Sequence, residues 1–311
     1  MTRSPNDVRP AARRVGWLTA IVAQVALAAG CSTNTATGRY QFNTLDRDEE
    51  IQVGEEAKPE LVKEYGGVFP STQLSGYVTE VGMKMVAQVE DPEKQSLPWE
   101  FTVLDSEIIN AFALPGGKVF ISIGLLREFS NEASLAGVLG HEVGHVTAEH
   151  AEQRMGQATT VQVLGNVVGA AASVFGVDPG LSQATSVLVG ASGEGFLLKF
   201  SRDQESEADS LGIRYMIQAG YDPEGLVQVM TILKNASAAG ETPEILSTHP
   251  YPETRLERIE KLLQTKFPGE RGNPRLRMGV DEWKTRAVPY LPRTTPPPPA
   301  STMAAPPSTH A

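Results

Sequence analysis

The stretch from Glu132 to Met155 constrains this chain more than any other. Leu135, Val138, Leu139 and Val146 recur at helical spacing, and Ser130 or Asn131 precedes them as an N-cap, so the stretch reads as one helix. Within it lies Gly140-His141-Glu142-Val143-Gly144-His145. At 100° per residue the two histidines stand about 40° apart on one face, with Glu142 about 80° from their midpoint. Two imidazoles so placed can share one metal ion, and a carboxylate beside it can act as a base toward water on that metal. The competing reading is a polar surface helix that carries these letters by coincidence. Two features count against it. The surrounding apolar residues put the helix in a core, as a rigid metal platform requires. Gly140 and Gly144 also sit mid-helix, where each costs ~1 kcal/mol relative to alanine, which implies that something packs close.

A catalytic zinc site takes three protein ligands and keeps one position open. His150 is a tempting third, but on a continuous helix it projects about 160° from the midpoint of the other two. It also misses the metzincin spacing and glycine, so a structural role or a hydrogen bond to a ligand suits it better. Glu205 is the better candidate, in Ser201-Arg202-Asp203-Gln204-Glu205-Ser206-Glu207-Ala208-Asp209. Glu205 and Asp209 share a helix face, so one can bind metal while the other accepts a hydrogen bond from a ligand histidine. An exposed acidic helix start, favoured by the helix dipole, explains the same residues equally well.

Arg13 and Arg14 precede an apolar run, Val15–Ala29, that is too short and too rich in small residues for a comfortable membrane span. It reads as the core of a signal peptide with a basic flank. The run ends in Leu27-Ala28-Ala29-Gly30-Cys31, which resembles the lipobox of bacterial lipoproteins, although Ala28 stands where leucine is commonest. Cys31 is the single cysteine, so an intramolecular disulfide is impossible and acylation of Cys31 is its expected use. An ordinary cleaved signal with an incidental cysteine is the alternative. Ser32 is compatible, by analogy with sorting rules, with the outer membrane. Four arginines against Asp7 make the first 30 residues net +3, so the formal −10 of the chain becomes −13 once they are removed. So acidic a body argues against nucleic acid as a partner.

Residues 32–47 are polar and read as a tether, and 48–64 are charged and helix-compatible. Leu74, Val78, Val81 and Met85 mark a helix over 71–89. Trp99–Leu104 and Lys118–Ile123 alternate and read as strands of a small antiparallel sheet, with Leu114-Pro115-Gly116-Gly117 as a turn. Residues 156–200 are rich in Gly, Ala and Val, interrupted by Asp178-Pro179-Gly180; two helices over the core, or a lobe dipping into a membrane, fit this composition. Ser201 and Gln204 form a capping-box pattern for a helix that Gly220 closes. Asp222-Pro223 starts the next, and Leu256, Ile259, Leu262 and Leu263 mark a further amphipathic helix. Composition shifts at Pro268, and Pro292–Ala311 is Pro-, Ser-, Thr- and Ala-rich, as disordered segments are. The expected organisation is a signal peptide (1–30), a lipid-anchored tether (31–47), a metal-binding domain (48–267) and a Pro-rich, disordered tail (268–311). The expected fold class is α+β, mainly α, with the small antiparallel sheet beside the metal helix.

Taken together the motifs resemble the gluzincin family of the CAAX prenyl endopeptidases and HtpX-like proteases, in its compact, periplasmic BepA-like branch. His141–His145 followed by Glu205-x-x-x-Asp209 carries the likeness. Asn110-Ala111-Phe112-Ala113, Pro115-Gly116-Gly117 and Gly124-Leu125-Leu126 extend it ahead of the helix. Ser201-Arg202, Ala208-Asp209 and Ala219-Gly220-Tyr221-Asp222-Pro223 extend it around the third ligand, and Thr248-His249-Pro250 with Pro252 and Arg255 beyond. The likeness runs from about residue 45 to 265. The spanning helices of the integral-membrane members and the tetratricopeptide array of some periplasmic members have no counterpart in this sequence.

The resemblance implies a zincin-like domain with one Zn2+ per chain, held by His141, His145 and Glu205, with Glu142 as general base and Asp209 orienting a ligand histidine. It implies that His249 lies near the site, capping the open zinc position or assisting the oxyanion; an ordinary loop histidine is the alternative. Arg255 either stabilises the oxyanion or makes an ion pair. Lys118, Val119, Phe120 and Ile121 would form an edge strand that pairs with extended substrate, or else a plain sheet strand. The reading is a zinc-dependent endopeptidase for misfolded or misassembled cell-envelope proteins, lipid-anchored on the periplasmic face of the outer membrane, among envelope assembly partners. Its rivals are a protease-like chaperone or assembly lipoprotein with structural zinc, and a scaffold that uses its Pro-rich tail. Glu142 favours the enzyme, since a structural site needs no base.

Overall fold

A computed structural model describes residues 31–42, 45–155, 199–240, 243–250 and 252–292. The expected signal peptide, the stretch 156–198 and the Pro-rich run 293–311 lie outside the described residues. The elements are, in order, β1 (Cys31–Thr33), β2 (Tyr40–Phe42), α1 (Arg47–Glu64), α2 (Thr72–Val86), α3 (Pro92–Gln95), β3 (Glu100–Leu104), β4 (Ala111–Leu114) and β5 (Lys118–Ser122). There follow α4 (Ile123–Arg127), α5 (Glu132–Thr147), α6 (Arg202–Gln218), α7 (Glu224–Ala238), α8 (Ile245–Thr248), α9 (Pro252–Thr265) and α10 (Val280–Arg286). The fold is α+β and mainly α.

Local chemistry sets the helix starts. Asp46 and Glu49 form a reciprocal capping box on α1, and Ser201 and Gln204 form another on α6. Ser71 caps α2 and Asn131 caps α5, each accepting from the backbone N–H three residues on. Helix α5 is the axis of the domain. Every residue from Glu132 to Thr147 is buried. Leu135, Leu139 and Val143 share a core with Leu74, Val78, Val81 and Met85 of α2, Leu211 and Ile213 of α6, and Val229 and Leu233 of α7. At the start of α5 the buried Glu132 accepts hydrogen bonds from the hydroxyls of Tyr77 at 2.6 Å and Tyr221 at 2.5 Å, so its charge meets both donors and the positive end of the helix.

The two glycines of the metal motif mark a helix crossing. A Cβ at Gly144 would stand 3.0 Å from the carbonyl oxygen of Ala208, and one at Gly140 would stand 3.2 Å from that of Gly212. Gly212 reciprocates: a Cβ there would lie 2.9 Å from the backbone nitrogen of His141. Bare backbones therefore let α5 and α6 approach closely enough for their side chains to share one site.

The structure corrects several expectations. The sheet is mixed, not antiparallel: β5 pairs parallel with β3 (Glu100↔Lys118 to Leu104↔Ser122) and antiparallel with β4 (Ala111↔Ile121 to Leu114↔Lys118). In the order β3-β5-β4 the segment Lys118, Val119, Phe120, Ile121 is central and wholly buried, so both its edges are already hydrogen-bonded and it cannot take up a substrate strand. The expected single helix over 132–155 ends at Thr147. Glu149 adopts φ 56, and helix resumes over 150–155 beyond that turn. The expected tether is structured, because β1 and β2 form an antiparallel hairpin and Asn34 donates to the carbonyl of Thr147 at 2.9 Å. Packing also continues past 267. The Arg277 N–H donates to Gly220 O and the Asp222 N–H to Arg277 O, both at 3.1 Å. Trp283 of α10 is 1% exposed, against Tyr77 and Phe129. Among the described residues no helix is long and apolar enough to cross a membrane.

Candidate metal centre

Four elements meet at one buried point. Helix α5 supplies His141, Glu142 and His145, and α6 supplies Glu205 and Asp209. His249 closes the C-terminal end of α8, and α9 supplies Arg255.

The Nε2 atoms of His141 and His145 lie 3.0 Å apart. Glu205 Oε1 is 3.4 Å from His145 Nε2, and Glu205 Oε2 is 3.6 Å from His141 Nε2. His249 Nδ1 is 3.0 Å from Glu205 Oε1 and 3.3 Å from His141 Nε2. One ligand atom from each of His141, His145, Glu205 and His249 thus falls within 4.8 Å of the other three, and all four residues are buried. The structure brings together every candidate metal ligand read from the sequence, with His249, expected near the site, as a fourth donor.

Around these donors lies a supporting layer. Asp209 Oδ1 is 3.0 Å from His141 Nδ1, so the ring can donate there while Nε2 keeps its lone pair. Arg255 spans both carboxylates, with Nη1 2.8 Å from Glu205 Oε2 and Nη2 2.6 Å from Asp209 Oδ1. Its guanidinium is engaged in ion pairs on the metal side, which favours the ion-pair alternative over a catalytic role at the oxyanion. Burial would raise Glu205, but Arg255 and then His249 outweigh it and hold this carboxyl well below its usual range. Asp209 follows the same balance, with Arg255 and His141 overcoming burial. Burial pushes His145 well below the usual imidazole range, which keeps it neutral. A neutral imidazole at His145 and an ionised carboxylate at Glu205 are protonation states a metal requires.

Glu142 is 1% exposed, yet neither carboxylate oxygen has a hydrogen-bond partner, and His249 Nε2, 3.7 Å from Glu142 Oε1, has none either. A buried carboxylate without a hydrogen bond is costly, so these atoms fit a site built around a metal ion and a water. The donor set of two or three histidines and one carboxylate fits zinc.

Three residues at the site were not singled out from the sequence. The Phe200 ring lies 4.0 Å, centroid to centroid, from that of His145 and walls the site. Glu207 accepts from His150 at 2.9 Å, and Arg39 meets Glu207 at 2.6 Å. Phe200 directly precedes the Ser201 cap, a local signal in the sequence; the other two are recognisable only in three dimensions. Lys118, Val119, Phe120 and Ile121 lie in the centre of the sheet and are not among the donors.

The sequence model of peptidase family M48 matches residues 72–263. The chain is 32% identical over 247 residues to the beta-barrel assembly-enhancing protease of Escherichia coli (strain K12), covering 76% of this chain and 48% of that protein. It is 32% identical over 233 residues to the mitochondrial metalloendopeptidase OMA1 of Schizosaccharomyces pombe, covering 73% and 65%. Against the protein of that name in Arabidopsis thaliana the identity is 36% over 163 residues, covering 52% and 31%. The chain spans about half the length of the assembly-enhancing protease it matches.

Proposed function

The chain belongs to peptidase family M48, and from that premise we propose that it is a zinc-dependent endopeptidase acting on misfolded or misassembled proteins of the cell envelope. The observation that carries this reading is the convergence of His141, His145 and Glu205 beside the unpartnered carboxylate of Glu142. A bound zinc supplies a Lewis acid that acidifies water and polarises a carbonyl. Glu142 takes the proton of the attacking water and returns it to the leaving amine, as the new C–O bond forms and the C–N bond breaks. Asp209 holds the Nδ1–H of His141, and Arg255 keeps both metal-side carboxylates ionised and in place. With β5 enclosed, β3 and β4 are the edges of the sheet among the described residues, and Phe69 already donates its N–H to Val103 O on β3. That leaves β4. Ser122 N–H bonds Asn110 O, so the alternate residues Ala111 and Ala113 turn their peptide groups away from β5. An extended substrate would add there. Acylation of Cys31 would hold the protein at a membrane, with the outer membrane as the location this reading favours.

A second reading rests on His249. As a fourth donor it would fill the position a catalytic metal keeps open, which suits structural zinc in a chaperone or assembly factor, or a resting enzyme that opens when the α8 loop moves. Cleavage of unfolded casein by wild type, Glu142→Gln and His249→Ala separates these. Activity in wild type or His249→Ala that disappears in Glu142→Gln supports the peptidase. Zinc-loaded protein that is inactive in all forms refutes it.

A further inference from the structure

We propose that the N-terminal hairpin is a working part of the metal centre: Arg39, Glu207 and His150 are positioning residues that set the tautomer and orientation of the His145 ring. The inference rests on reading His145 as a metal ligand, and it brings in Arg39, which lies outside the residues matched to the family, 72–263.

His145 turns Nε2 toward His141 and Glu205, which leaves Nδ1 on the far edge of the ring. That atom lies 3.0 Å from Nδ1 of His150. Two ring nitrogens at this distance form a hydrogen bond only if one carries a proton and the other does not. If Nε2 of His145 gives its lone pair to a metal, the neutral ring carries its proton on Nδ1, so His145 donates and His150 accepts. The proton of His150 then sits on Nε2, where Glu207 Oε2 accepts it at 2.9 Å. The same oxygen receives Nη1 of Arg39 at 2.6 Å. The chain of groups therefore runs from metal ligand to imidazole to carboxylate to guanidinium. An ionised carboxylate can only accept, so Glu207 sets the direction of every bond inward from it. Nδ1 of His141 has a carboxylate of its own in Asp209; among the described residues Nδ1 of His145 reaches one through His150.

The hairpin holds this relay in place. Arg39 precedes β2, and its Nη2 also donates to Ala148 O at 3.2 Å, while Asn34 donates to Thr147 O at 2.9 Å. These carbonyls belong to the C-terminal end of α5, whose last carbonyls lack helical partners. Glu149 follows in the left-handed region at φ 56, with its carboxylate held by Lys94 at 2.8 Å and by Gln41 of β2. On a continuous helix His150 would stand about 140° around from His145. The turn at Glu149 lets its ring come back onto that of His145. His150 is fully buried and Glu207 is partly exposed, so the relay runs from the interior to the surface.

The test measures zinc affinity by chelator competition, and the visible spectrum of the cobalt(II)-substituted protein, on the full mature chain. His150→Ala should weaken zinc binding about 10–100-fold and alter the cobalt bands. His150→Gln, whose amide oxygen can accept from Nδ1–H, should recover most of the affinity. Glu207→Gln, a near-isosteric change at a partly exposed position, and Arg39→Ala should shift both readouts in the same direction as His150→Ala by smaller amounts, and they keep the test decisive if His150→Ala does not fold. Folded variants that all bind zinc within about twofold of wild type, well inside the loss expected for disturbed ligand support, with an unchanged cobalt spectrum, would overturn the proposal. Wild type that binds neither zinc nor cobalt would instead sink the metal reading on which it rests.

Discussion

Gly212→Ala tests how the two metal-bearing helices are held. Its new Cβ would lie 2.9 Å from His141 N, 3.1 Å from Gly140 C and 3.2 Å from His141 Cα. All three atoms are backbone, so no side chain can rotate away, and relief to ordinary contact requires α5 and α6 to part by about half an ångström. Overpacking of this kind costs about 1–3 kcal/mol, and replacing a mid-helix glycine returns about 1 kcal/mol. The net loss is then about 0–2 kcal/mol, or up to roughly 8 °C in Tm for a domain of this size. Metal affinity should suffer more, because His141 is the residue struck and metal–ligand distances tolerate only about 0.2 Å. Zinc titration of the apo protein, beside thermal unfolding, should show at least about a tenfold loss of affinity, in the range expected when ligand support is disturbed. Gly140→Ala, whose nearest contact is 3.2 Å, should be milder. Wild-type affinity in Gly212→Ala together with a raised Tm would refute the argument, since only the helix-propensity gain would then remain.

Asp209→Asn should weaken zinc binding about 10–100-fold, because His141 loses its carboxylate acceptor and Arg255 one of its two partners; chelator competition measures it. Trp283→Ala should destabilise the domain by about 3–5 kcal/mol in urea unfolding, whereas a tail detached from the core would give no change. Burial, and then the charge of Glu50, push the Glu152 carboxyl well above its usual range, against the pull of Lys94. A raised folded-state pKa means that this contribution to stability is complete below the unfolded value and lost as pH rises through the folded one. Urea midpoints followed from acid to neutral pH should therefore fall less steeply in Glu152→Gln than in wild type, and an equal or steeper fall would contradict this.

Helix periodicity alone made the His141, Glu142 and His145 face legible, because their relation depends only on 100° per residue. Caps read from Ser201, Gln204 and Asn131 likewise needed only neighbours in sequence, and the structure carries those bonds. The mainly helical α+β class followed from the same local patterns. Glu205 was harder: sequence spacing put it on a face with Asp209, but only the bare crossing at Gly140, Gly144 and Gly212 brings that face to the histidines. Alternation in 118–122 identified a strand, yet strand order is settled by packing on both faces, and β5 is central because β3 and β4 both pair with it. The segment after Pro268 reads from composition as part of a disordered tail, and the place of Trp283 in the core depends on a pocket made by Tyr77 and Phe129. His150 shows the division most plainly. An angle counted along one helix sent it away from the metal, while the turn at Glu149, held by Gln41 and Lys94 from distant parts of the chain, brings it back. Local geometry determines what a few consecutive residues can present; contacts between segments far apart in sequence decide what those residues meet.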